Sequence, residues 1–329
     1  METKKQRIEF IDLAKGVCIL LVVLSHTHVD VPFLLYIRMP LYFLLSGLFF
    51  KLYDGFVDFS IRKTNKILIP FLFFYLISFG IYLLIRHFLP DIKINTVVDE
   101  FYFTDPLFSR LCFNNPLWFL ISLFTVNIIF YISLSCNKHI IFQSVVAILC
   151  AIAAFIIKDA DIKVPLYLGN TLFYYPFFFF GYYLKSTNLL IESDKKGGWK
   201  KDLFLAGILV IAGIVLVIFP IHYNIKAYFI GLAWVVALLL VLKQIKRVPV
   251  ISYYGRYSII ILCTSYLVYS PLQVIVRKIV NWSDIPCNLF VFLLTILIEL
   301  IVIKLCLKYL PHVTAQKDIF TYKKGKKKQ

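Results

Sequence analysis

A chain of 329 residues that is 60% hydrophobic and 17% aromatic, with a mean hydropathy of +0.83, is too apolar to fold as a soluble domain and reads as a polytopic membrane protein. Its net charge of +17 does not point to nucleic acid, because the basic residues are spread over short connections and a KKGKKKQ tail. Membrane orientation and contact with anionic lipid account for that pattern better.

Apolar runs of about twenty residues predict ten spans, at 10–28, 32–52, 67–86, 116–135, 140–157, 167–184, 203–221, 226–242, 250–275 and 288–307. No cleaved leader is expected, since a charged head runs straight into the first span. That span, within RIEFIDLAKGVCILLVVLSH at 7–26, carries Asp12, Lys15 and His26, and ionisable groups are costly to place in a membrane helix. The fourteen residues from Asp12 to His26 rise about 21 Å, so carboxylate and imidazole belong near opposite membrane faces. The second span holds Arg38, Ser46 and Gly47, the fourth opens on Asn115 and Trp118, and the tenth contains Glu299.

Ten spans place both termini on one side, and the basic residues identify it as the cytoplasm. Alternate segments beginning with 1–15 hold 24 of the 35 lysines and arginines, while the opposite connections hold nine. The fold class expected is therefore an all-α integral membrane bundle of about ten transmembrane helices. A transmembrane domain covers 1–310 and a basic cytoplasmic tail covers 311–329. The longest connection, about 87–115, lies outside in this scheme, is rich in aromatics and is suited to capping a cavity. The seven cysteines show no metal-like spacing; Cys112 and Cys287 share the outer side, and whether they pair or remain two separate thiols is open.

The N-terminal segment resembles the membrane-bound acyltransferase 3 family, whose first helix reads R-x(4)-D-x-x-[KR]-G with a histidine about ten residues on. Arg7, Asp12, Lys15, Gly16 and His26 stand at those positions. MPLYFLLSG at 39–47, IRKTNKILIPF at 61–71, NPLWFL at 115–120 and GRYS at 255–258 resemble further family segments in the same order. Two departures stand out. Lys63 and Lys66 occupy the places of two spaced arginines, keeping charge but not the bidentate fork. Thr264 and Ser265 stand where many relatives carry a late histidine.

The resemblance implies O-acetylation of surface sugars, and the residues offer a candidate for each chemical task. His26 is the expected general base for the attacking hydroxyl, with an acyl-histidine intermediate as the alternative, and a histidine satisfied by a helix-end carbonyl as the plain reading. Asp12 pairs with Lys15 at three-residue spacing or simply favours the helix dipole. Arg38 polarises the thioester carbonyl, holds an acidic sugar, or snorkels to the interface. Asp30, four residues after His26, either orients the imidazole or belongs to a loop, and H-x-H-x-D over 26–30 is a poor metal set on a helix, so no metal is expected.

Lys15, Arg7, Arg62, Lys63 and Lys66 form the candidate basic entrance for the phosphates of acetyl-CoA, although positive-inside bias alone also puts cations there. Trp118 stacks on a sugar or anchors at the interface beside Asn115. Glu299 lines the substrate cavity or pairs with Arg256 as a packing residue. Ser46 and Gly47 permit close helix approach.

The function expected is transfer of an acetyl group from acetyl-CoA to a sugar hydroxyl of a cell-surface polysaccharide or its lipid-linked precursor, in the cytoplasmic membrane. The partners expected are the glycan acceptor, acetyl-CoA and membrane lipid, with no nucleic acid. The principal alternative is a transporter or flippase of a glycan or lipid-linked substrate, which predicts two matching halves that the sequence does not display. A polymerase or ligase, and a non-enzymatic partner that keeps the fold, are the remaining alternatives.

Overall fold

A computed structural model describes residues 9–29, 31–88, 114–162, 164–187, 190, 198–220, 223–279 and 282–322. Among these residues the secondary structure is helical throughout, in the order α1 (Glu9–His26), α2 (Arg38–Leu48), α3 (Phe56–Lys63), α4 (Ile69–Phe88), α5 (Trp118–Cys136), α6 (Ile140–Asp159), α7 (Leu168–Leu184), α8 (Gly198–Ile218), α9 (Tyr223–Ile245), α10 (Pro249–Arg256), α11 (Ser258–Ile279) and α12 (Asp284–Tyr309). The expected all-helical class is what the fold displays.

Seven helical stretches are long and apolar enough to cross a membrane: Phe56–Ile85, Asn115–Cys136, Ile140–Asp159, Gly198–Ile218, Ile225–Ile245, Ser258–Ile279 and Asp284–Tyr309. They match seven of the ten expected spans. The other three are helical but depart from a plain apolar span for visible reasons. α1 carries Glu9, Asp12 and Lys15 within 18 residues, and α7 is 17 residues long with Pro176 inside. The segment expected at 32–52 is a 3-10 turn, Pro32–Tyr36, followed by the 11-residue α2.

Two boundaries differ from the sequence reading. The basic segment 51–66, read as a connection, is helical from Phe56, and a π-helical turn at Thr64–Leu68 joins α3 to α4. The run at 250–275 is not one helix but α10 and α11, broken at Tyr257. Hydropathy misses the first because α3 is helical but polar, and the second because an apolar pattern runs on across Tyr257.

The outer faces of the helices need lipid. On α8, Ile208, Ile211, Val215 and Ile218 are all exposed, and on α6 so are Ile148, Ile152 and Ile156. Helices whose apolar residues lack protein neighbours on one whole side have a hydrocarbon environment, not water, as their stable surroundings.

The chain divides into two compact units. The first comprises Met1–Phe49 and Pro176–Ser258, the second Phe50–Tyr175 and Ile259–Gln329. In the first unit, close crossings are made by glycine. A Cβ on Gly16 of α1 would run into the carbonyl of Ile251 in α10, and one on Gly255 of α10 would run into the carbonyl of Asp12 in α1. The same reciprocal arrangement joins α2 to α7, where Gly47 abuts the carbonyl of Phe178 and Gly181 that of Leu44. Absent side chains let backbones approach where lipid supplies no hydrophobic drive between helices. α8 and α9 form a hairpin tied by the Lys243–Asp202 ion pair at 3.0 Å, by Gln244 donating to Asp202 at 2.8 Å, and by the Trp234 indole donating to the carbonyl of Val210 at 3.2 Å.

In the second unit Phe50, Phe59, Phe130 and Tyr175 form a fully buried aromatic core between α3, α5 and α7, with ring centroids 5.0–5.9 Å apart along the chain of contacts. Buried polar side chains tie its helices together. Ser133 of α5 donates to Gln143 of α6 at 2.7 Å, and Asn114, just before α5, donates to Ser78 of α4 at 3.1 Å and to the carbonyl of Cys263 in α11 at 2.8 Å. Residues expected to begin a basic tail at 311 instead continue as an irregular strap that folds back onto the π-turn.

Candidate active site

α1 organises the site in the first unit. Its apolar sequence buries Ile11, Leu13, Ala14, Cys18, Ile19, Val22 and Val23, and that packing carries the polar residues with it. Asp12 sits near the N-terminal end and is 8% exposed; His26 is the last residue of the helix and is partly buried. An unbroken helix keeps them about 21 Å apart, so Asp12 does not orient the imidazole.

The ionisable neighbours of His26 include Arg38 and His28. Arg38 opens α2, and its carbonyl accepts a hydrogen bond from the Cys18 thiol of α1 at 2.8 Å, which fixes the start of the second helix against the first. That bond sets the Arg38 backbone against the middle of α1, at the level of Cys18. His28 has left the helix, at φ 59°, and is exposed, so the helical spacing assumed for H-x-H-x-D does not apply; Asp30 lies outside the described residues.

At the other end of α1, the Lys15 ammonium lies over the ring of Phe49, 5.3 Å from its centroid. Arg7 lies outside the described residues, so its place in the basic entrance is not defined. Ser46 donates to the carbonyl of Tyr42 at 2.8 Å, which occupies its proton within α2, and Gly47 makes the crossing already described.

The remaining basic candidates belong to the second unit and differ sharply in their surroundings. Arg62 pairs with Asp58 one turn earlier at 2.7 Å and lies over the Tyr53 ring. Lys66 pairs with Asp318 of the strap at 2.8 Å and donates to the carbonyl of Ala315 at 2.9 Å. Lys63 sits between Phe50 and Phe59, 5.8 and 5.5 Å from their centroids, where the ring faces hold its cation. The family segment at 61–71 therefore presents three cations on two helical turns, two of them already matched by carboxylates.

Trp118 begins α5 and stacks on Tyr174 with centroids 6.1 Å apart and planes 27° from parallel, while Tyr167 flanks it at 6.0 Å. Asn115 starts the preceding 3-10 turn and is exposed. Its neighbour Asn114, which the sequence reading passed over, is the buried one, and its Oδ1 has no donor among the described residues. Two adjacent asparagines before a proline give no sequence signal for which one turns inward; the helix start at Pro116 decides it.

Glu299 of α12 is fully buried and both carboxyl oxygens lie within 3.0 Å of the Thr264 hydroxyl of α11. Thr264 is the residue standing in the region of the late family histidine. Cys287, one half of the suggested disulfide, is buried among Tyr269, Val276 and Val291 as a free thiol, and Cys112 lies outside the described residues.

Fold and site together define a multi-pass membrane protein with ionisable groups carried on its first helix. Residues 8–304 match the model of the acyltransferase 3 family, an acyltransferase domain, and the chain belongs to that family. No curated protein and no solved structure matches it.

Proposed function

We propose that this membrane acyltransferase moves an acetyl group from acetyl-CoA to a hydroxyl of a sugar in a cell-surface polysaccharide or its lipid-linked precursor. The observation that carries the reading is the placement of His26 at the C-terminal end of α1 with Arg38 as its charged neighbour. In this mechanism the neutral imidazole accepts the hydroxyl proton as the sugar oxygen attacks the thioester carbonyl. The tetrahedral intermediate collapses by expelling CoA thiolate, and the proton on His26 passes to that thiolate. Arg38 supplies positive charge for the developing oxyanion in a site of low dielectric.

Lys63 and Lys66, with Arg62, hold the CoA phosphates on the cytoplasmic side. Trp118 and Tyr174 provide aromatic faces for the sugar, and Glu299 contributes a carboxyl to the acceptor cavity. The reading takes ten spans with both termini cytoplasmic, in the cytoplasmic membrane. The test is release of free CoA by membranes supplied with acetyl-CoA and the host glycan fraction. His26→Ala should lower the rate by about 10²–10⁴-fold, the usual contribution of a general base. Release by the variant at the wild-type rate would remove His26 from the chemistry.

A further inference from the structure

The strap after α12 is held by the same turn that carries the basic family segment. Asn65, 1% exposed, accepts hydrogen bonds at Oδ1 from the backbone N–H groups of Ile319 and Phe320 at 2.9 and 3.0 Å, and its Nδ2 donates to the carbonyl of Phe320 at 2.7 Å. One buried side chain thus grips two successive peptide units of a segment some 250 residues away. Thr314, fully buried, donates to the carbonyl of Leu310 and anchors the near end.

Between these anchors Asp318 is presented to Lys66 at 2.8 Å, and its charge also reaches Arg62. The strap and the ion pair differ in kind. The Asn65 side chain is buried and makes three hydrogen bonds to the strap, whereas the Lys66 and Asp318 side chains are 45% and 42% exposed and share one ion pair. An exposed pair is weak and exchanges readily with another anion, even though its carboxylate is delivered to one place by a rigid grip. The π-turn at Thr64–Leu68, a local geometry that recurs at functional sites, holds both Asn65 and Lys66.

We propose that Asp318 is a built-in competitor for the anion site at Lys66: its carboxylate occupies the position that a CoA phosphate takes, and ligand binding displaces it while Asn65 keeps the strap in place. The inference rests on the assignment of Lys66 to CoA and adds to it a regulating residue outside the membrane-spanning helices. The competing group is an acid, so replacing it with a neutral isostere opens the site without removing a cation.

The experiment measures CoA binding to the purified full chain in lipid nanodiscs for wild type, Asp318→Asn, Lys66→Gln and the double variant. Inorganic pyrophosphate and adenosine serve as competing probes that separate phosphate recognition from base recognition. Asp318→Asn should tighten CoA about two- to fivefold, the range of an exposed ion pair, while Lys66→Gln weakens it. The double variant should bind close to Lys66→Gln alone, since the ion-pair partner of Asp318 is gone and only its more distant influence on Arg62 remains. Pyrophosphate should compete better against wild-type binding than adenosine does. Unchanged or weaker binding by Asp318→Asn, with Lys66→Gln still weakened, overturns the competitor while leaving the CoA assignment standing. CoA binding indifferent to Lys66→Gln overturns both.

Discussion

Thr264 and Glu299 make a buried polar contact in the second unit, two carboxyl oxygens on one hydroxyl with no water-exposed surface on Glu299. Thr264 also lies 2.8 Å from the carbonyl of Ile260 one turn back, so its one proton has three acceptor oxygens within reach. A buried carboxyl that loses its hydrogen-bond partner costs about 1–3 kcal/mol. Thr264→Val, which keeps the shape and removes the hydroxyl, should therefore destabilise the protein by about that amount, read as thermal unfolding in nanodiscs. Unchanged stability would mean that Glu299 finds another partner. His26, Asp12 and Lys15 were legible as a set because charge stands out in an apolar helix. Asn114 was not, because its neighbour Asn115 has the same chemistry and only the backbone course at Pro116 separates the two.

The contact between α1 and α10 explains at the level of elements why two glycines far apart in sequence belong to family segments. Gly16 follows Lys15 in the first segment and Gly255 opens the GRYS segment, and each faces backbone of the other helix. Alanine at either position would place a methyl group against carbonyl groups that cannot yield without moving a helix. Gly16→Ala and Gly255→Ala should each cost about 1–3 kcal/mol by overpacking. Gly80→Ala and Gly207→Ala are the controls, since a Cβ there meets nothing within 4 Å, and each should leave stability unchanged or raise it by up to about 1 kcal/mol. Thermal unfolding of the four variants checks the ordering. The glycines were visible in sequence, but their pairing was not, because it is made between segments some 240 residues apart. The break at Tyr257 was hidden for a related reason: α10 and α11 are both apolar enough to read as one span.

At the scale of the whole molecule, class and family are legible from composition and the first helix, and the helical ends less so. Hydropathy locates a helix by its lipid-facing residues, and it fails where the chain stays helical beyond the hydrocarbon. The start of α3 at Phe56 and its passage through the π-turn into α4 are such a case, and they turn Arg62, Lys63 and Lys66 from loop residues into helical ones. The strap was equally hidden, since its grip by Asn65 depends on backbone groups and not on side-chain type. Placement of both termini in the cytoplasm is a prediction of the charge distribution. Single cysteines introduced at 3 and 325 in a cysteine-free background should resist a membrane-impermeant maleimide in intact cells and react after permeabilisation. Labelling of both in intact cells would reverse the orientation and place the basic segments outside, and labelling of one alone would contradict an even number of spans.

The central claim is that His26 carries acetyl transfer to a surface sugar. It is tested most directly by NMR of the acetyl groups on the host's surface glycan, in cells that carry the wild-type chain, an equal amount of the His26→Ala protein, or no chain. The account predicts acetyl signals with wild type and none above background in the other two. Signals retained with His26→Ala would contradict the role of the histidine, and a glycan identical in all three would contradict the acceptor.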